Sequence, residues 1–421
     1  MSSLRRYLPE HDLMFFGPSP AVYHCHHFNL FLDQTIDDAL GFEAGSRLRF
    51  LAGREFASPL LAGVAEQNGA TTPAERLELA SKLFAGMGHG RLQLSADAKG
   101  GDAKGSFLHY GYSWSQKYGQ IVKRKQPADA FGAGFAAAAA EVALGLQPET
   151  MSAHETECVA MKQPGCAFQL KPGERGVRSP PVGETEVNKQ ITPTFNGLYE
   201  EVIQPITKGL RDFTAPVQGD ERGLVQAFGV FVTLHLAGYY NRISYEAVQQ
   251  VEKKAPQSVG VLEDLLRESG HVCVFNTFGG ILLSPEWEGM VGPLTGEPLP
   301  IVEGCMAIAR ALGFGRWTIA EFEPGKRLVV RAPCSYESVF YRSRYGKAPR
   351  PNEYFLQGAC LAIAQLAHRV DWKAKPMLTQ DFYNALFRGG PLPWKVEQPK
   401  STACGHTVSE VVVTRNEGAR A

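Results

Sequence analysis

The chain has 421 residues, 44% hydrophobic and 20% charged, and its 43 basic and 43 acidic side chains give a formal net charge of zero. That length suits two domains of about 200 residues, and the balanced charge excludes the basic footprint of a nucleic-acid or anionic-membrane binder. Eight scattered cysteines form no disulfide framework, the N-terminus reads as carrying no signal peptide, and no run is long enough to insert in a bilayer, so a cytoplasmic protein is expected.

In chain order, the first patterned segment is His24-Cys25-His26-His27-Phe28-Asn29-Leu30-Phe31, continuing to Ile36. Read as a helix, it places His24 and His27 three apart on one apolar face with Phe28 and Phe31. Neutral imidazoles there are metal ligands, general bases or hydrogen-bonded core residues, while Cys25 points elsewhere as a small core side chain. Gly86-Met87-Gly88-His89-Gly90 is a turn without the strand–loop–helix setting of a phosphate loop. Leu92 to Ser95 and Phe107 to Trp114 alternate like strands. Trp114 offers a flat apolar wall with one N–H donor, and His89 and His109 flank it as partners for a ligand hydroxyl. The alanine-rich run from Phe135 to Leu146 reads as a packed helix.

The sharpest stretch is His154-Glu155-Thr156-Glu157-Cys158-Val159-Ala160-Met161-Lys162-Gln163-Pro164-Gly165-Cys166. Glu155, Cys158 and Cys166 supply carboxylate and thiolate donors of the kind tetrahedral zinc takes, often from a short hairpin. Three ligands leave a position open for reactive chemistry. A fourth from elsewhere, such as His109 or His154, closes the site as a structural one. This motif resembles the zinc signature of 4-vinyl reductase domains, in the version found in sensor domains of phenol- and xylene-responsive transcription activators. The resemblance implies zinc on Glu155, Cys158 and Cys166 with one further upstream cysteine. Lys123 to Ala130, where the family carries it, has none.

A Gly/Pro/charge-rich stretch from Lys171 to Pro193 reads as a linker, giving units at 1–170 and 196–415 around a linker at 171–195. Beyond it the first unit's landmarks return in order. His235 to Ala247 matches the His24 segment, and Gly313-Phe314-Gly315 matches Gly88-His89-Gly90. Arg344-Tyr345-Gly346 matches Lys117-Tyr118-Gly119, and Phe355 to Gly358 matches Phe131 to Gly134. Preserved order of this kind marks a tandem repeat. Thr277-Phe278-Gly279-Gly280 reads as a turn, and Trp317 to Phe322 and Leu328 to Arg331 as strands. The partner of Trp114 is Tyr336 by its Ser-aromatic context or Tyr341 by spacing. Glu397 to His406 stands where the zinc motif belongs, with Lys400 at the first cysteine position, so no full site is expected there.

These readings predict a mixed α/β protein. The resemblance implies two tandem 4-vinyl-reductase-like units, each a small, largely antiparallel sheet packed with helices, paired as an intramolecular pseudo-dimer that is able to dimerise again. It also implies an enclosed pocket for a small hydrophobic or aromatic molecule, lined by Trp114, His89, His109, Phe28, Phe31, His235 and Tyr336, with a structural zinc. The ATPase module and helix-turn-helix of the activators are not read in this sequence, so any sensing output is expected to pass through a partner. The alternative is a metal-dependent enzyme of aromatic, tetrapyrrole or secondary metabolism. It would use His24 and His27 with a metal such as iron, or an open Glu155/Cys158/Cys166 site.

Overall fold

The computed structural model describes residues 4–8, 10–173, 187, 189–190, 196–387 and 394–416. The chain opens with three short antiparallel strands, β1 (Arg5–Leu8), β2 (Leu13–Phe16) and β3 (Ser19–Cys25), then helices α1 (His26–Leu40), α2 (Phe42–Gln67) and α3 (Pro73–Gly86). A hairpin of β4 (Gln93–Asp97) and β5 (Gly100–Gly105) follows, then α4 (His109–Tyr118), α5 (Ala130–Leu144), β6 (Met151–Glu157) and β7 (Cys166–Pro172). Lys171 and Pro172 close β7, and most of the expected linker lies outside the described residues.

From residue 196 the order is α6 (Glu200–Thr214), β8 (Val225–Ala227), β9 (Val230–Leu236), α7 (Ala237–Lys254), α8 (Val259–Cys273), α9 (Pro298–Ala311), β10 (Thr318–Glu323), β11 (Arg327–Ala332), α10 (Tyr336–Tyr345), α11 (Tyr354–Arg369), β12 (Trp394–Lys400) and β13 (Ser409–Arg415). The element order from β3 to β7 therefore runs again from β9 to β13, with short helices inserted between α8 and α9 and after α11. The fold is mixed α/β with antiparallel sheets. Two four-stranded sheets have matching orders, β4-β5-β7-β6 and β10-β11-β13-β12. A third, β1-β2-β3-β9-β8, pairs β3 with β9 across the two halves, Val22 opposite His235 and His24 opposite Thr233.

Glycines set the helix crossings. A Cβ on Gly134 of α5 would stand 2.4 Å from the carbonyl oxygen of Phe50 on α2, and one on Gly358 of α11 would stand 1.8 Å from that of Arg267 on α8. Only glycine lets these backbones touch. The alanine-rich α5 is buried almost all round, as its uniform apolarity predicts.

Three local expectations are corrected. His24 and His235 each sit one residue before the end of a strand, and the helices begin only at His26 and Ala237. The His24 end of the strand Ser19–Cys25 pairs with β9, more than 200 residues away, a partner that local helical spacing does not reveal. Phe107 to Trp114 is not a strand: α4 starts at His109, while the glycine-rich β5 takes the central place between β4 and β7. Thr277 to Gly280 is not a turn but part of a π-helical segment, Val274–Phe278, continued by a helical turn at Gly279–Leu282. Among the described residues, no helix is long and apolar enough to cross a membrane.

Candidate functional site

The β6–β7 hairpin brings the metal-type residues together. Glu155 stands at an irregularity where β6 shifts register against β7, Cys158 follows the strand, and Cys166 begins the return strand after a 3-10 turn at Val159–Met161. One ligand atom from each of Glu155, Cys158 and Cys166 lies within 4.8 Å of the other two. Both cysteines are buried. Gly111 of α4 leaves the room they need, since a Cβ there would stand 2.9 Å from Cys166 Sγ and 3.3 Å from Cys158 Sγ.

Glu155 Oε2 accepts the Asp129 backbone N–H at 2.7 Å, while Oε1 is buried without a hydrogen-bond partner. Burial, then the neighbouring Cys158, raises the Glu155 carboxyl well above its ordinary range. The hydrogen bond from Cys166 lowers the Cys158 thiol to about 6, and the same bond holds the proton on Cys166. Two buried sulfurs and a buried carboxyl oxygen without a well-formed hydrogen bond make a donor set that fits zinc. Of the two candidate fourth ligands, His154 is exposed. The ring of His109 points its Nε2 at Asn29 Nδ2, 3.0 Å away in the interior.

Further inside, rings from both halves meet. His235 lies 4.2 Å from Phe131, 4.5 Å from Tyr240, 4.6 Å from Tyr239 and 4.9 Å from His89, centroid to centroid. Asn29 organises the polar atoms. It donates to Thr233 Oγ1 at 3.1 Å, accepts from Tyr240 OH at 2.6 Å and meets His109 Nε2. Because Nε2 of His109 takes the amide hydrogen, its own proton sits on Nδ1, which has no partner. Tyr110 OH lies 3.2 Å from His235 Nε2. Both ring nitrogens of His89, Nδ1 of His235, the Tyr239 hydroxyl and Ser113 Oγ lack a well-formed hydrogen bond although buried. Burial holds His89, His109 and His235 well below their ordinary pKa, so all three rings are neutral.

His24 occupies the corresponding place on β3, stacked on Phe28 at 3.8 Å and ringed by Tyr240, Phe314, Phe355 and Tyr336. His27 has different surroundings: its Nδ1 accepts from Lys117 Nζ at 2.7 Å. The shared helix face expected for His24 and His27 is therefore not formed. Trp114 is buried against Tyr118 and under the Arg124 guanidinium, and Phe31 is partly buried on α1. The structure thus gathers His89, His109 and His235, with Phe28, His24 and Tyr336 beside them. Counting from the helix starts, Tyr336 matches His109 and Tyr341 matches Trp114. Asn29, Tyr239, Tyr240 and Phe131 carry no functional signal of their own in the sequence, although each lies in a segment that matches between halves.

Strand register also relocates the second copy of the motif. Glu157 pairs with Ala167 in the first sheet and Lys400 with Glu410 in the second. Lys400 therefore matches Glu157, and the counterparts of Glu155, Cys158 and Cys166 are Gln398, Ser401 and Ser409, at the same spacings. Lys400 falls at the first cysteine position only in an alignment that starts the motif at Glu397, which runs one residue out of register.

No protein-family model matches the chain, and a search of curated proteins finds no match. Among solved structures, the phenol-responsive sensory domain of the transcription activator PoxR, in complex with phenol, is similar over 41% of this chain and 86% of that chain, with 20% identity and a TM-score of 0.34. Likeness at that level assigns this chain neither a family nor a ligand.

Proposed function

We propose that the chain binds a small hydrophobic or aromatic molecule in the interior around His89, His109 and His235, and that Glu155, Cys158 and Cys166 hold a structural zinc ion. The observation that carries the first part is the concentration of buried polar atoms without a well-formed hydrogen bond inside an aromatic core. Such atoms are scarce in folded proteins, and each costs about 1–3 kcal/mol. A ring bearing one hydroxyl satisfies a donor and an acceptor at once and packs against Phe131 and Tyr239. Neutral imidazoles suit that task, because each offers one donor and one acceptor. Two voids, one lined by Leu236 and the other by Phe28 and Tyr240, measure about 30 and 20 Å³, room for one or two waters, and neither is lined by His89, His109 or His235. Ligand entry therefore requires ring side chains to move apart.

The repeated element order, the matching sheet orders and the shared sheet through β3 and β9 support two tandem vinyl-reductase-like units paired as a pseudo-dimer. In that arrangement each half lends the other a histidine, His24 or His235. Zinc would tie the terminal hairpin to α4 and α5, supplying cross-linking rather than chemistry. His24 and His27, in separate surroundings, give the enzyme reading no paired site.

Titration of the purified chain with phenol, o-xylene and cyclohexanol, followed by calorimetry and thermal unfolding, tests the ligand. Saturable binding of an aromatic compound at one or two sites per chain, weakened about tenfold by His109→Ala, is expected. Equal and non-saturable responses to all three compounds refute it. Native mass spectrometry tests the metal: a mass excess of one zinc, lost with Cys158→Ser, supports the staple, and metal-free protein whose stability ignores chelators rules it out.

A further inference from the structure

The second sheet shows what sits at the centre of the place where the first gathers its metal-type residues. Gln398, Ser401 and Ser409, the register counterparts of Glu155, Cys158 and Cys166, all donate to one carboxylate, that of Glu353. Gln398 Nε2 lies 2.5 Å away, Ser401 Oγ 2.7 Å, and Ser409 Oγ 2.8 and 2.7 Å from its two oxygens. Ser335 Oγ adds a fourth donor at 2.6 Å. Glu353 is fully buried and is the residue immediately before α11. These are neutral donors converging on one carboxyl group, a centre filled by side chains alone.

The residue immediately before α5, and so the counterpart of Glu353, is Asp129. It is 1% exposed. Its Oδ1 accepts the Gly132 N–H at 2.7 Å and its backbone N–H is fixed on Glu155 Oε2, while Oδ2 is buried with no partner. Glu155 Oε1 is likewise unpartnered. Where the second half has three neutral donors, the first has three groups that are anionic when they ligate. Where the second half has a glutamate long enough to occupy the centre itself, the first has a side chain one methylene shorter.

We propose that Asp129 is the fourth ligand of the Glu155/Cys158/Cys166 metal site, in the position that Glu353 marks in the second half. The inference rests on the metal reading above. An ion takes the central place that the Glu353 carboxylate fills in the other sheet, and the shorter aspartate leaves room for it. Asp129 is not among the three residues whose ligand atoms already converge, so loading the ion turns its carboxyl about the side-chain bonds while the backbone bond to Glu155 stays. Two sulfurs and two carboxylate oxygens then close the site in the four-coordinate form that structural zinc takes.

Cobalt(II) reports the ligand set directly. The full chain is stripped with a chelator, loaded with Co²⁺ and compared with Asp129→Asn and Asp129→Cys, affinity being read by chelator competition and folding by far-UV circular dichroism. Asparagine keeps an oxygen for the Gly132 N–H and removes the anionic ligand. It is expected to weaken Co²⁺ binding about tenfold or more and to diminish the tetrahedral visible bands. Cysteine is expected to restore binding and to raise the thiolate-to-cobalt charge-transfer absorption by about half, as three sulfurs replace two. Wild-type affinity and spectrum in folded Asp129→Asn, or unchanged charge transfer in Asp129→Cys, overturn this assignment alone. Failure of the wild-type chain to take up Co²⁺ overturns the metal reading together with it.

Discussion

Replacing His24 with phenylalanine isolates the consequence of burying a histidine in this core. The ring is fully buried, stacked on Phe28 and edged by Tyr240 and Phe355. Its Nδ1 meets only the Cys273 sulfur at 3.5 Å, and Nε2 meets nothing. Burial alone lowers its pKa well below the ordinary 6.5. A depressed folded-state pKa means that the unfolded chain binds the proton more readily, so the contribution is intact above about pH 6.5 and is lost as the pH falls below it. With the folded ring still neutral at pH 5, linkage gives a loss of about 1.9 kcal/mol between pH 7 and pH 5. Phenylalanine does not titrate, and it keeps an aromatic ring against Phe28, Tyr240 and Phe355.

Other titrating groups contribute equally to both proteins and cancel. The stability of His24→Phe relative to wild type should therefore rise by about 1.9 kcal/mol from pH 7 to pH 5. Urea unfolding of the two proteins at pH 7, 6 and 5 measures this. A relative stability independent of pH would mean that His24 protonates as freely in the fold as in the unfolded chain, and the buried environment would be refuted.

Asn29→Ala strands the Tyr240 hydroxyl and His109 Nε2 without their buried partner, and at about 1–3 kcal/mol each it should destabilise by about 2–6 kcal/mol; a loss below 1 kcal/mol in urea unfolding would contradict the network. Glu55, buried on α2, pairs with Arg242 at 2.6 Å and Arg344 at 2.8 Å from the other half. Those guanidiniums keep some solvent contact, so Glu55→Ala should cost about 2–3 kcal/mol, below the range for a fully buried pair, and separate unfolding transitions for the two halves are expected if this pair helps to hold them together. Gly358→Ala puts a Cβ against the Arg267 carbonyl at 1.8 Å, which only backbone displacement relieves; a melting temperature within a degree of wild type would show that α8 and α11 are not in backbone contact.

Elements with a local signature are legible in the sequence alone. The alanine-rich α5, the β10 and β11 strands and the spacing of Glu155, Cys158 and Cys166 each follow from residues close in sequence, because helical period, strand alternation and hairpin ligand spacing are short-range properties. The recurring landmarks likewise place His24 and His235 at equivalent positions. Three things depend on contacts between distant residues. One is the strand ending at Cys25, whose His24 end is paired with β9. Another is the interior where Asn29, His109, Thr233 and Tyr240 meet, drawn from four separate elements. The third is the register that makes Ser401, rather than Lys400, the counterpart of Cys158, and Ser409 that of Cys166. A strand's partner and a β-irregularity are set by pairing energy across the sheet, not by the local pattern. The sequence therefore determined that Glu155, Cys158 and Cys166 fall together on the first hairpin, and tertiary structure decided which buried groups surround them.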